Sequence, residues 1–317
     1  MEKIEKIEKM SLRKAYGEAL RDLGKENEHV VALEADLGKS TMSALFKEAY
    51  PERYFEMGIA EQNMASAAAG MALAGKIPFY STFAVFAAGR AYDQIRCSIA
   101  IPKANVKICG SSCGLSDFGD GKTHQSVEDG NIIGAIPNMT VLHPVDAVET
   151  RKMMKAIAVY QGPVYIRINR NDLPVYTAEA GDYTIGAVYP VRSGTDAVIF
   201  ATGALVWQSV EAAGALAAEG ISVQVVNVST LKPLIKAEVL KHAAGKRAVL
   251  VAEEAVSRGG LGHCIAALLF GEIHVPFGRI AIQDEFGTSA HSYEELLDRY
   301  GLSSAHIYRG MKKLLCP

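Results

Sequence analysis

Short apolar runs alternate with longer stretches of helical spacing through the first half of the chain. Behind Ser11, a residue type that caps helices, apolar positions fall at Leu12, Ala15, Tyr16, Ala19 and Leu23, the spacing of one helix face. Apolar runs at 30–33, 54–57, 78–81, 106–109, 140–142 and 164–168 predict strands. Between them, helices are predicted over 44–49, 60–74 and 83–99, after Thr123, and over 147–160. The helix over 44–49 stops at Pro51, because the residue before a proline resists the helical conformation. Residues 171–192 lose the pattern and predict a join between two domains. A second unit then resumes the alternation, with strands at 197–201, 222–226, 248–252 and 280–282 and helices running to Glu219 and from Leu261.

Strand–helix alternation of this kind favours a parallel sheet with helices on both faces. The expected fold is α/β, with a parallel-sheet domain over 1–175, a linker over 176–192 and a smaller α/β domain over 193–317. Such sheets bind ligands beyond the carboxyl ends of their strands. That rule gathers the loops beginning at Asp36, Gly58, Thr82, Gly110 and Asn169 on one rim. The candidate chemistry lies in those loops.

Composition narrows the classes of function. The formal net charge is −2, so no basic excess points to nucleic acid or to an anionic membrane surface. The amino terminus, MEKIEKIEKM, lacks the apolar core of a signal peptide, and a cytoplasmic protein is expected. No apolar stretch is long enough to cross a bilayer, the run over 65–74 amounting to one short helix. Five cysteines without a C-x-x-C pair predict reduced thiols. Cys109 and Cys113, in a Gly/Ser-rich loop, leave a redox or metal role open.

Three segments carry candidate chemistry, and each has a plain structural alternative. Gly58-Ile59-Ala60-Glu61-Gln62-Asn63 leads into an Ala-rich helix, where a first-turn carboxylate is comfortable whether it caps or reacts. Phe83 and Phe86 are three apart and would share a helix face, as core packing or as the wall of a site. Gly119-Asp120-Gly121-Lys122-Thr123-His124-Gln125 is a glycine loop presenting an acid and an imidazole. His124 reads equally as a structural histidine.

Together these segments resemble the transketolase family, specifically its pyrimidine-binding domain, from Ser11 into the terminal domain. The resemblance implies thiamin diphosphate as cofactor. Glu61, in its G-x-x-E segment, would hold a proton against the N1′ nitrogen of the aminopyrimidine, favouring the imino tautomer. Phe86, in T-F-x-x-F, would stack on that ring with Phe83 beside it. His124 would contact the donor's carbonyl and hydroxyl oxygens, and Asp120 a hydroxyl on the C2 side. Ser11-Leu12-Arg13, Glu34-Ala35-Asp36-Leu37-Gly38-Lys39-Ser40 and Ile168-Asn169-Arg170 resemble further family segments. They imply Arg13, Ser40 and Arg170 as ligands of the sugar phosphate.

Departures from the family pattern bear on substrate and assembly. A histidine often found in the loop after 106–109 is absent from Cys109-Gly110-Ser111-Ser112-Cys113, which leaves the sugar open. Gly89 stands where a tyrosine is common, implying a roomier pyrimidine pocket. The family holds the diphosphate and its metal with a G-D-G segment followed at longer range by an asparagine. Gly119-Asp120-Gly121 runs instead into K-T-H-Q, and Asn138 lies too near.

The resemblance thus implies the carboxy-terminal subunit of a split transketolase. A separate amino-terminal subunit would supply the diphosphate site with its Mg2+ or Ca2+, and the expected assembly is a heterotetramer with two copies of each. No metal ligands are expected in this chain. The implied reaction moves a two-carbon ketol unit from a ketose phosphate to an aldose phosphate, as in the pentose phosphate pathway. Three rivals keep the fold: the β subunit of a 2-oxo acid dehydrogenase decarboxylase, a catalytically inactive regulatory subunit, and a deoxyxylulose-phosphate synthase, normally a single long chain, whose helix Arg90-Ala91-Tyr92-Asp93-Gln94 resembles. The G-D-G-K-T-H-Q loop and the two arginines weigh against the first, and intact Glu61 and His124 against the second. Gly259-Gly260-Leu261-Gly262-His263 resembles the glycine turn of the terminal domain, with His263 structural.

Overall fold

The computed structural model describes residues 8–316, so the amino-terminal charged repeat over 1–7 lies outside the described residues. The chain opens with β1 (Lys9–Ser11) and α1 (Leu12–Glu26), whose cap is Ser11 Oγ accepting from the Lys14 amide at 3.3 Å. There follow β2 (Val30–Glu34), α2 (Gly38–Thr41), α3 (Ala44–Ala49), β3 (Tyr54–Glu56), α4 (Glu61–Leu73) and β4 (Ile77–Phe83). Next come α5 (Tyr92–Gln94), β5 (Lys107–Ser111), α6 (Asp129–Ala135), β6 (Thr140–Leu142), α7 (Ala147–Val159), β7 (Val164–Ile168) and β8 (Asp172–Pro174). The second unit holds β9 (Tyr189–Arg192), β10 (Ala197–Ala201), α8 (Leu205–Ala217), β11 (Val223–Asn227), β12 (Thr230–Lys232) and α9 (Lys236–Ala243). It ends with β13 (Val249–Val256), α10 (Leu261–Leu269), β14 (Phe277–Ile282), α11 (Tyr293–Arg299) and α12 (Ser304–Leu315).

The fold is α/β with mostly parallel sheets. Seven strands form the first sheet in the order β12-β6-β7-β5-β4-β2-β3, all parallel except β12. Alternate residues of the buried strands go to opposite faces. Val30 and Ala32 join the cluster of Leu12, Tyr16, Met153 and Ile157, under α1 and α7. Val31 and Leu33 join that of Met64, Ala68 and Ile99. Both faces are covered, which explains the near-continuous apolar runs. The second sheet, β14-β13-β10-β11-β9, is parallel apart from edge strand β9. No helix among the described residues is long and apolar enough to cross a membrane.

Several expectations need correction. The helix expected over 83–99 does not begin at Phe83. Thr82 and Phe83, residue types that fit a pleated ladder, extend β4 alongside Gly110 and Ser111 of β5. The chain then forms two π-helical stretches, Phe86–Arg90 and Ile95–Ala100, on either side of α5. After the glycine loop, a single 3-10 turn at Gly121–Thr123 precedes α6, which starts only at Asp129. The patternless segment contains strands too short to show alternation: β8 pairs antiparallel with β1, and β9 edges the second sheet. The sequence reading did not anticipate β12, α9, α11 or α12. β12 crosses from the second unit to pair antiparallel with β6, so the two units share one sheet.

Candidate active site

The carboxyl ends of β2, β3, β4, β5 and β7 share one rim because those strands run parallel. Glu61 opens α4 in the loop after β3, and its side chain is only 1% exposed. Arg90 Nη1 donates to both Glu61 carboxylate oxygens, at 3.0 and 3.1 Å. Thr82 Oγ1 donates weakly to the same carboxylate at 3.5 Å. The Arg90 guanidinium also covers the Phe86 ring, with Cζ 4.1 Å from its centroid. Phe83 and Phe86 stack at 6.1 Å with 20° between planes, although Phe83 ends a strand. The His124 ring meets Phe83 and Phe86 edge-on, at 6.1 and 5.6 Å. Glu61, Phe83, Phe86 and His124 therefore gather in one place, linked through Arg90.

A second cluster forms where α1 begins. Arg13 Nη1 donates to the Ser40 carbonyl at 2.7 Å and Nε to the Arg170 carbonyl at 3.1 Å. The α2 segment carrying Ser40 is braced by Glu34, whose buried carboxylate accepts from Thr41 and Ser43 hydroxyls at 2.8 and 2.5 Å. Burial pushes Glu34 up to about 7. Arg170 Nη1 donates to Asp117 Oδ2 at 2.7 Å, and its Cζ lies 5.8 Å from the Phe83 centroid, which joins the two clusters. Burial, then the neighbouring Arg170, lowers the pKa of Arg13. Burial raises that of Asp117, Arg170 pulls it back, and Asp120 adds to the rise. Two adjoining guanidinium groups with unused N–H donors make a place for an anion.

The glycine loop is pinned from the second unit. Gln125 Nε2 donates to the carbonyls of Asp117 at 3.2 Å and of Thr288 at 3.0 Å. Gly121, at φ +73°, lies against Ser289 where a side chain would collide. His124 Nδ1 and the Thr123 hydroxyl are 2.9 Å apart. Asp120 is exposed on the loop, where it interacts with the buried Asp117 that Arg170 holds. At the end of β5, the Ser111 and Ser112 hydroxyls are buried without partners among the described residues, Ser112 at φ +56°. Cys109 and Cys113 are fully buried thiols held up by burial, poor candidates for redox or metal chemistry.

Family comparison divides the chain in two. The model for the transketolase pyrimidine binding domain matches residues 8–175, and that for the transketolase C-terminal domain matches residues 186–307. The chain belongs to the transketolase family. A solved structure described as a split gene transketolase, inactive beta4 tetramer, is similar at 42% identity and a TM-score of 0.87, over 96% of this chain and 98% of that one. A 6-deoxy-6-sulfo-D-fructose transketolase subunit from Clostridium sp. (strain MSTE9) is 38% identical over 304 residues, 96% of this chain and 94% of that one. Transketolase from Rattus norvegicus is 35% identical over 312 residues. The match takes in 97% of this chain and 49% of the rat protein, so the chain spans about half of that relative's length.

Membership of the transketolase family implies thiamin diphosphate, with its pyrimidine end toward this domain. The residues fit such a group. A flat cation, the Arg90 guanidinium, already stacks on Phe86 and donates into the buried Glu61 carboxylate. An aminopyrimidine is likewise flat, with in-plane donors. The sequence assigns no site role to Arg90 or Asp117. Phe86 and Arg90 are four apart, a spacing that brings a cation over a ring on a helical turn, and that was the available signal. Asp117 had none, since only the folded loop buries it while leaving Asp120 in solvent. His263 is held within its own turn, bonding the Ser257 carbonyl at 2.8 Å.

Proposed function

We propose that this chain is the carboxy-terminal subunit of a two-chain, thiamin-diphosphate-dependent transketolase. It would transfer a two-carbon ketol unit between sugar phosphates in the cytoplasm, as in the pentose phosphate pathway. The observation that carries this reading is the buried Glu61 carboxylate beside the stacked Phe83 and Phe86 rings, within arm's length of paired arginines. The similarity to a split gene transketolase over 98% of that chain supports a separate partner. We assign residues 1–175 to the pyrimidine-binding domain and 193–317 to the C-terminal domain, joined by 176–192.

The cofactor supplies the carbanion-stabilising chemistry when bound. Glu61, itself buried, would hold a proton at the pyrimidine N1′ atom, and Phe86, with Phe83 beside it, would stack on the ring. His124 and Asp120 hydrogen-bond the donor's oxygens, His124 from a ring already oriented by the two phenylalanines. Arg13, with Ser40, and Arg170 hold the substrate's terminal anion away from the reacting carbon. The diphosphate and its Mg2+ or Ca2+ belong to the amino-terminal subunit, in an assembly of two copies of each chain. A sulfonated sugar is a second substrate reading, because the Clostridium relative is named for one and arginine forks accept either anion.

The test is calorimetric. The purified chain, alone and mixed with a diphosphate-binding transketolase chain, is titrated with thiamin diphosphate and Mg2+. Weak binding alone and tight binding in the mixture are expected. Tight binding by this chain alone contradicts the two-chain reading.

A further inference from the structure

The proposed chemistry leaves Arg90 without a role, yet Arg90 makes the most specific contacts in the site. Its Nη1 spans both oxygens of Glu61, and its guanidinium covers Phe86 at 4.1 Å. Those are the two contacts assigned to the cofactor's pyrimidine. A protonated aminopyrimidine and a guanidinium share the relevant properties: planarity, in-plane N–H donors and positive charge. One face of a ring and one carboxylate edge cannot serve both at once.

Local structure suits exchange. The widened π-helical turn Phe86–Arg90 carries the arginine back over the phenylalanine from which it starts. Next to it, nothing beyond its chain neighbours and its own turn lies within 4 Å of where a side chain on Gly89 would begin, so that side of the turn is open. The Arg90 side chain is 46% exposed and has a path to solvent, whereas Glu61 has none. A buried carboxylate without a partner is costly, and Arg90 supplies the counter-ion.

We propose that Arg90 is an internal ligand of the pyrimidine pocket. It occupies Glu61 and Phe86 in the free chain, and the cofactor binds by displacing it. This rests on the assignment of Glu61 and Phe86 to the pyrimidine. Cofactor affinity is then reduced by the fraction of chains in which the arginine has left, and the carboxylate keeps a cation before and after loading.

The probe is 4-amino-5-hydroxymethyl-2-methylpyrimidine, the cofactor's ring without its diphosphate, titrated by NMR into the full-length chain. Arg90→Ala should bind it about tenfold more tightly than the parent, as expected if roughly nine in ten pockets are self-occupied. Arg90→Gln, which keeps the stem over Phe86 and loses the cation, should bind it more tightly than the parent too. Methylguanidinium should compete with the pyrimidine in Arg90→Ala and restore the parent's weaker apparent affinity. Equal or weaker binding in both variants overturns the proposal, as does methylguanidinium without effect. Glu61→Ala separates the two layers. If it leaves pyrimidine affinity unchanged, the assignment of the pocket itself fails, whatever Arg90 does.

Discussion

Two guanidinium groups side by side need a reason. Arg13 and Arg170 are tied by a backbone contact at 3.1 Å, and Asp117 neutralises only one of them directly. Under the proposed reading the missing charge is a substrate phosphate. Arg13→Ala and Arg170→Ala should then raise KM for a phosphorylated donor by the loss of a charge-assisted bond, on the order of 1.5–3 kcal/mol. Hydroxypyruvate, which has no phosphate, should lose little. Steady-state kinetics on both donors in the assembled enzyme checks this, and equal losses would assign the arginines to folding. Their convergence was legible only through the resemblance of their two segments to those of the transketolase family. The ion pair that fixes Arg170 was not, since Asp117 and Asp120 differ in burial and not in residue type.

Individual elements show where sequence patterns carry and where they fail. The Ser11 cap and the apolar stripe of α1 depend on neighbours three and four residues apart, so the chain's local order reveals them. The stretch from Phe83 to Gly89 is apolar throughout, and apolar residues alone cannot tell a strand end from a widened helix. Pairing with β5 decides it. α7 joins both kinds of information. Asp146 Oδ1 accepts from the Glu149 amide at 2.8 Å, and Glu149 Oε2 accepts from Val145 at 2.7 Å, a reciprocal cap readable as D-x-x-E. Unreadable in sequence is the other carboxylate oxygen, which accepts from Asn227 and Ser229 of the second unit.

Burial pushes Glu149 up to about 7 from an ordinary 4.5. The folded chain therefore holds that proton more tightly than the unfolded chain across this window. Its contribution to stability is full below about pH 4.5 and is lost as pH rises through about 7. Glu149→Gln does not titrate, so its stability relative to the parent should improve between pH 5 and 8 by on the order of 1–3 kcal/mol. Denaturant melts of both proteins across that range measure it, and parallel curves would exclude the assignment.

At the scale of the whole molecule, the second unit acts on the site without entering it. β12 extends the first sheet, Thr288 and Ser289 hold the glycine loop beneath His124, and Glu254 accepts from the Leu115 amide at 2.7 Å. Behind the rim, the fully buried Arg167–Asp129 pair, at 2.8 Å, adjoins His143, which reaches Thr202 of the second unit at 3.3 Å. Two α/β units were legible from alternation alone. That they share a sheet edge was not, because β12 is three residues long and its partner lies far away in sequence.

The claim that this chain is half of an active centre is tested most directly by mixing. Ketol transfer from a ketose phosphate to an aldose phosphate is measured with thiamin diphosphate and Mg2+, for this chain, for a diphosphate-binding transketolase chain, and for the two titrated together. The account predicts no turnover from either chain alone and a rate that rises on mixing and saturates at equal amounts. Turnover by this chain by itself, or a stable complex of the two that remains inert, would contradict it.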